Sequence, residues 1–374
     1  MYIHQRSSWP QFTWDKEAVS TLLAAVKFQQ GRLLGKMESL GLPFREQSVL
    51  NTLTSDIVKT SEIEGENLNK EQVRSSIARH LGIDIGGLAP VDRHIDGIVE
   101  MMLDATRHYS EPLNQERLFR WHAALFPTGL SGMMLVQTGM WRTDTGGPMQ
   151  VVSGSYGREK IHFVAPKAKR LPKEMKSFLT WFEQREQIDP IVKAAIAHLW
   201  FVTIHPFDDG NGRIARAIAD MMLTRSENQP DRFYSMSSQI RLERKAYYDK
   251  LERTQKGPLD ITGWILWFLD CLSNAILNSE KLFKTVLNKA QFWKQHADTQ
   301  FNERQTKMLN LLFDGFKGKL TSSKWAKMMK CSQDTAARDI NDLTDKEVLA
   351  KSSEGGRSTN YLLRDFPINY LKSD

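Results

Sequence analysis

His205-Pro206-Phe207-Asp208-Asp209-Gly210-Asn211-Gly212-Arg213-Ile214-Ala215-Arg216 is the stretch from which the rest of the chain can be read. An apolar run from Ile191 to Ile204 enters it with helical spacing, and a second helical pattern, Ile214 to Thr224, leaves it. The segment between is therefore a loop that opens a helix. Gly210 and Gly212 tolerate positive φ and let a ligand approach the backbone closely. Their N–H groups, beside a helix N-terminus, form a nest for phosphate oxygens. Arg213 and Arg216 stand three residues apart, so they share a helix face and can address one polyphosphate. Asp209 offers a hard oxygen suited to Mg²⁺ on phosphates. His205 is the one side chain here that takes a proton near neutral pH. Base, metal ligand, anion nest and paired arginines together predict a nucleotidyl-transfer site.

The stretch resembles the Fic family motif H-P-F-x-D/E-G-N-G-R-x-x-R, with every specified position filled. The resemblance implies a loop that binds ATP with Mg²⁺ or Mn²⁺ and transfers AMP to a protein hydroxyl. It implies His205 as general base, Asp209 as metal ligand, and Gly210, Asn211, Gly212, Arg213 and Arg216 around the phosphates. An EF-hand is excluded by the Asp/Asn spacing, and no G-x-x-x-x-G-K-[ST] string offers a rival phosphate site.

The chain has 374 residues, room for two or three domains. Two cysteines, Cys271 and Cys331, argue against a disulfide framework and fit a reducing compartment. The start, Met1-Tyr2-Ile3-His4-Gln5, lacks the layout of a signal peptide. The most apolar stretch, Ile261 to Leu272, is too short for a bilayer and carries Asp270. The expectation is a cytoplasmic protein with no membrane partner. The net charge of +7 is spread along the chain among acidic residues, which reads as a solvated surface and not a nucleic-acid groove.

The expected fold is mainly α: a Fic-type helical core with a β-hairpin flap, plus a C-terminal winged-helix domain. Residues 1–110 form an N-terminal helical region, 111–285 the catalytic core, 286–302 a linker or connecting helix, and 303–374 the winged helix. An aromatic arm over residues 1–16 precedes helices over 17–41 and 46–61. Two more helical patterns fill 69–109, broken by Gly86-Gly87 and Pro90, and another runs from Leu113 to Leu125. His94 and His108 read as ordinary histidines without metal spacing, and His198 as a hydrogen-bonded core residue.

The second helix ends in Thr60-Ser61-Glu62-Ile63-Glu64-Gly65-Glu66-Asn67. This resembles the inhibitory motif of the same family, S/T-x-x-x-E-G/N, through Thr60, Glu64 and Gly65. The resemblance implies that Glu64 pairs with Arg216 and blocks the ATP γ-phosphate. A carboxylate in an anion site does compete with phosphate for one guanidinium fork. Two β-prone runs, Met149 to Gly154 and Lys160 to Pro166, flank a polar turn and predict a hairpin. The resemblance makes it the family's flap, with Val151, Val152, Ser153 and Gly154 at the nucleotide and a strand edge that aligns the target segment. His162 belongs to this flap and not to the catalysis. Tyr247, Tyr248 and Gln255 resemble the segment that closes over the base, where many family members have Asn in place of Gln255; a ring and a polar side chain suit adenine.

At the C-terminal end, helical runs Met308 to Phe313, Ser322 to Met329 and Ser332 to Lys346 precede a two-stranded wing, Val348 to Leu363, around Gly355-Gly356. Such modules place the third helix in the major groove. The charge is equivocal: 13 Lys and Arg stand against 10 Asp and Glu over residues 303–374, leaving DNA and protein contact both open. The leading expectation is a protein adenylyltransferase acting on a Ser, Thr or Tyr hydroxyl, of another protein or of itself. The alternatives are removal of AMP through the same site, with Glu64 activating water, or a DNA-binding regulator with a nucleotide-sensing core. A homodimer is compatible with either.

Overall fold

The computed structural model describes residues 1–38, 40–154, 158–184, 188–313, 316, 318–352 and 359–364. They divide into two compact units, Met1–Ser279 and Glu280–Asp374.

The first unit begins with the aromatic arm. Trp9 and Phe12 meet Trp200 edge-on at 6.2 and 5.7 Å, and Trp9 Nε1 donates to Glu174 at 2.8 Å. Thr13 bridges to the segment around Asp260. Helices α1 (Lys16–Glu38), α2 (Leu42–Ile63), α3 (Lys70–Leu81), α4 (Arg93–Arg107) and α5 (Gln115–Leu125) follow. Pro43 in its first turn suits α2, since its missing N–H would have no helical acceptor there. Asn69 caps α3 by accepting from Glu71 and Gln72, and Gly82 ends it in the left-handed conformation. Helices α4 and α5 touch backbone to backbone: a Cβ on Gly97 would lie 1.9 Å from the Ala124 carbonyl oxygen.

Two small hairpins come next. The first, β1 (Leu130–Ser131) with β2 (Met134–Leu135), is too short to leave a periodic trace in the sequence. The second, β3 (Gln150–Ser153) with β4 (Lys160–Val164), is the anticipated one, antiparallel with an irregularity between Val151 and Val152. Then follow α6 (Leu171–Glu183), α7 (Pro190–Ile204), α8 (Asn211–Glu227), α9 (Met236–Leu242), α10 (Arg244–Gln255) and α11 (Thr262–Gln295).

Helix α7 is buried on every side from Ile191 to Ile204, so it is apolar all round instead of striped. It packs along α8, and this pair is the frame on which the site is built. Helix α8 is tied to the N-terminal helices by polar groups. Arg232 pairs with Asp220 at 2.5 Å inside the unit, Ser235 and the Ser237 N–H donate to Asp56 of α2, and Gln30 of α1 donates to Glu227 at 2.8 Å. The Asp56 bonds hold the C-terminal half of α2 against the start of α9, and the last turn of α2 reaches the motif at Arg216.

Helix α11 is a single helix that continues through residues 286–295, and the division between units falls within it. The second unit adds α12 (Glu303–Phe313), α13 (Ser322–Met329) and α14 (Gln333–Asp345), with the antiparallel pair β5 (Leu349–Lys351) and β6 (Tyr361–Leu363). Leu309, Leu312, Trp325, Ile340, Leu343 and Leu349 form its core. Thr321 and Ser332 cap α13 and α14 through their hydroxyls. The expected turn at Gly355-Gly356 lies outside the described residues. Among the described residues no helix is long and apolar enough to cross a membrane.

Candidate active site

His205 terminates α7 in the left-handed conformation, φ 53 and ψ 59, with its N–H on the Phe201 carbonyl at 3.0 Å. A non-glycine residue there costs conformational energy and needs its surroundings to hold it. Buried Arg142 does so. Its Nε donates to the His205 carbonyl at 2.7 Å, its backbone N–H to the Pro206 carbonyl at 2.9 Å and its Nη2 to the Pro166 carbonyl at 2.6 Å. Phe207 is buried face to face with His122, ring centroids 4.1 Å apart. The Asn211 side chain clamps Phe207 from both ends, accepting from its N–H at 3.0 Å and donating to its carbonyl at 2.8 Å. Asn211 therefore offers the cleft its backbone amide and spends its side chain on the loop.

His205 Nδ1 donates to the Val202 carbonyl at 3.1 Å, which leaves Nε2 as an acceptor. Burial holds the imidazole below its ordinary pKa, so the ring is neutral with its lone pair available.

Both motif arginines are buried. Arg216 donates through Nε to Thr60 Oγ1 at 2.7 Å, and through Nη2 to the Thr60 carbonyl at 3.0 Å and Glu64 Oε1 at 2.7 Å. Burial would ease its proton off, but the neighbouring Glu64 carboxylate more than offsets this and holds its pKa up. Gly65, φ 89, ends α2 in the left-handed region and turns Glu64 toward α8. The fit is close: a Cβ on Gly212 would lie 2.1 Å from Glu64 Oε1. Arg213 donates to Glu66 Oε2 at 3.0 Å, and the other oxygen of Glu66 bonds His94, whose Nδ1 donates to the Leu125 carbonyl at 3.0 Å. His94 is thus not the ordinary histidine its spacing indicated; it braces the carboxylate on the first arginine. Arg216 Nη1 and Arg213 Nε are buried without an acceptor from the described residues, two donors suited to an incoming anion.

Asp209 accepts from Ser131 Oγ at 2.5 Å and from the Gly210 N–H at 2.6 Å, and Arg213 Nη2 lies 3.9 Å away. Its side chain is about half exposed, 46%, at the mouth of the α8 N-terminus. The described residues contain no cluster of three or more His, Cys, Asp or Glu able to hold an ion by themselves. That donor set fits Mg²⁺ carried in with a polyphosphate, which commonly needs one protein carboxylate, and not a resident ion in a protein cage.

His205, Asp209, Asn211, Gly212 and Glu64 line a cleft of about 660 Å³, and Arg216 is bonded to Glu64 of that lining. Val151, Val152 and Ser153 of β3 line one wall; Gly154, φ 109, makes the turn beyond them, where a Cβ would lie 2.8 Å from the Arg158 carbonyl oxygen. Tyr247, Tyr248 and Gln255 line the same cleft, yet two of the three are committed elsewhere. Tyr247 is buried with its hydroxyl on His198 Nε2 at 3.0 Å, and buried Gln255 donates to Thr203 Oγ1 at 3.3 Å. Tyr248 is the ring with exposed surface, its hydroxyl donating to the Ile63 carbonyl at 3.3 Å.

His198 is a core residue, as its apolar helix face indicated. Burial first, and Arg216 second, push its pKa down to about 3. An unfolded chain takes up this proton near pH 6.5 while the folded one refuses it, so the stability it contributes is complete above about pH 6.5 and is lost as pH falls toward about 3, by roughly 5 kcal/mol at most. His198→Gln should make the fall of the urea midpoint with acid shallower across that window; an unchanged slope contradicts the assignment.

The residues that sequence reasoning missed are Arg142, His122, Glu66 with His94, and Ser131. Each acts across a long sequence separation, and no local spacing marks them; Glu66 alone stood inside a motif already singled out.

A model of the Fic/DOC family matches residues 112–223, and the chain carries a Fic/DOC domain there; a domain of unknown function, DUF4172, matches residues 2–83. The chain is 34% identical over 117 residues to "Protein adenylyltransferase Fic" of Nematostella vectensis, covering 30% of this chain and 25% of that protein. It is 44% identical over 59 residues to "Protein adenylyltransferase fic-1" of Caenorhabditis elegans, covering 15% of this chain and 12% of that one. The matches thus span a quarter or less of these relatives. A crystal structure of a Fic family protein from Desulfovibrio desulfuricans G20 shares the fold over 95% of this chain and 98% of its own, with a TM-score of 0.57 and 22% identity.

Proposed function

We propose that this chain is a protein adenylyltransferase: it moves AMP from ATP to a Ser, Thr or Tyr hydroxyl of a protein, and Glu64 restrains it. The observation that carries this reading is neutral His205, its Nε2 free to accept, in one cleft with Asn211 and Gly212 at the α8 N-terminus and with Glu64, which is bonded to buried Arg216. The acceptor hydroxyl gives its proton to His205 Nε2, a step worth roughly 10²–10⁴ in rate. Its oxygen bonds to the α-phosphorus, the bond from that phosphorus to the bridging oxygen breaks, and pyrophosphate leaves. The first amides of α8, which have no helical acceptor, together with Arg213 and Arg216, meet the charge on the phosphates. Asp209 would hold Mg²⁺ or Mn²⁺, which when bound neutralises phosphate charge. The outer edge of β3, which pairs with no strand among the described residues, can take an extended target segment by strand addition.

Asp209→Ala should abolish most of the gain in ATP affinity that Mg²⁺ brings to the wild type. Calorimetric titrations with and without Mg²⁺ check this; an equal gain in both proteins rules out Asp209 as the ligand.

Removal of AMP is the second reading, favoured by one observation. Glu64 engages Arg216 through Oε1 while its side chain stays 31% exposed, lining the cleft, so its other oxygen is available to orient water. Incubation with α-labelled ATP and lysate tests the leading reading: transferred label supports it, and release of AMP from a pre-labelled protein without transfer supports the second. For residues 303–374 we propose a winged helix that recruits partners. Asp339 is turned inward onto Arg304 at 2.7 Å, leaving Gln333, Asp334 and Arg338 on the open face of α14; a gel shift with genomic fragments separates DNA from protein contact.

A further inference from the structure

The hairpin holds a second acid–base chain that the mechanism above does not use. His162 is the extra residue of the β3–β4 register: Val151 pairs with Phe163 and Val152 with Ile161, so His162 has no partner across the pair. Bulges of this kind re-aim a side chain beside an active site. Here the ring lies between two groups. His162 Nδ1 meets Glu252 Oε2 of α10 at 2.6 Å, and Nε2 meets Ser153 Oγ at 2.6 Å. A carboxylate only accepts, so Nδ1 carries the proton and Nε2 is the lone pair that receives the Ser153 hydroxyl. Lys256 first, and His162 second, hold the Glu252 carboxyl down at about 2, so it remains ionised and fixes that tautomer. Hydroxyl, imidazole and carboxylate stand in the order that activates a serine oxygen. Ser153 is exposed, and it lines the same cleft as His205.

We propose that Ser153 is an acceptor of AMP within this chain, activated by His162, which Glu252 positions. The inference rests on the AMP-transfer reading and adds an acceptor and a second base to it. The Ser153 proton passes to His162 Nε2, and Ser153 Oγ bonds to the α-phosphorus of ATP. The bond to the bridging oxygen breaks, and pyrophosphate leaves with the electron pair. The product is a phosphodiester on the strand that faces the target, which would fill that wall of the cleft and hinder further transfer.

The full chain is incubated with Mg-ATP, digested, and its peptides are sequenced by tandem mass spectrometry, with lysate proteins labelled in a parallel reaction. The expected result is AMP on Ser153, absent in Ser153→Ala and slowed about 10²-fold or more in His162→Gln. Glu252→Gln should shift the pH profile of Ser153 labelling, because the ring is then no longer held in one tautomer. Survival of the Ser153 adduct in His205→Ala assigns its proton to His162. A wild-type chain that labels lysate proteins but never Ser153 overturns the inference and leaves the proposed function standing. Absence of label everywhere overturns both. If His162→Gln and Glu252→Gln change ATP affinity while Ser153 is labelled at the wild-type rate, the chain of bonds only pins the hairpin to α10, and the role of His162 falls.

Discussion

Glu64→Gly should raise the initial rate of AMP transfer to other proteins by about two to three decades. On the proposed reading, the γ-phosphate displaces a carboxylate that is bonded to Arg216 at 2.7 Å, on a guanidinium that Thr60 also holds. Separating one partner from such a pair costs about 3–5 kcal/mol where both are buried. Arg216 is, but the Glu64 side chain is 31% exposed, which argues for the lower end of the range. Glycine removes the competitor and puts no new atoms against Gly212, where Glu64 Oε1 now sits. Arg216→Ala frees Glu64 as well, yet it should not activate, because it removes a phosphate ligand with the brake. Initial rates with α-labelled ATP separate the two variants. Equal rates in wild type and Glu64→Gly would leave Glu64 as a plain helix end.

His205→Ala should lower transfer to other proteins by roughly 10²–10⁴ while ATP binding stays close to wild type. The imidazole lines the cleft and bonds the Val202 carbonyl through Nδ1, so on the proposed reading its loss removes a proton acceptor and no phosphate donor. Its backbone, held by Arg142 on the His205 and Pro206 carbonyls, keeps the loop in place. Calorimetry with ATP, run beside label transfer in a Glu64→Gly background, checks both halves. A variant that transfers at the parent rate would remove His205 from the role of base.

The motif loop was legible because its chemistry is written in consecutive residues. A glycine-rich turn opening a helix and two arginines one turn apart need no knowledge of the rest of the chain. Thr60, Glu64 and Gly65 were legible for the same reason, and α2 delivers them to Arg216 across more than 150 positions. What holds these parts was not legible. Arg142 supports His205 from 63 positions away, and His94 braces Glu66 from 28; such pairs follow from helix packing that no local period encodes. Tyr247 and Gln255 show the converse limit. Their residue types suit an adenine site, but hydrogen bonds to His198 and Thr203 turn their polar ends inward. The pairing of His162 with Ser153 depends on a register shift of one residue, which alternation in so short a hairpin cannot specify.

The central claim is that AMP, and not the terminal phosphate, moves from ATP to protein through His205. The most direct measurement incubates Glu64→Gly with lysate and either α-labelled or γ-labelled ATP, beside Glu64→Gly with His205→Ala. Label on lysate proteins from the α position alone, with pyrophosphate released and the signal gone in the double variant, is the predicted result. Label retained from the γ position, or α label undiminished without His205, would contradict it.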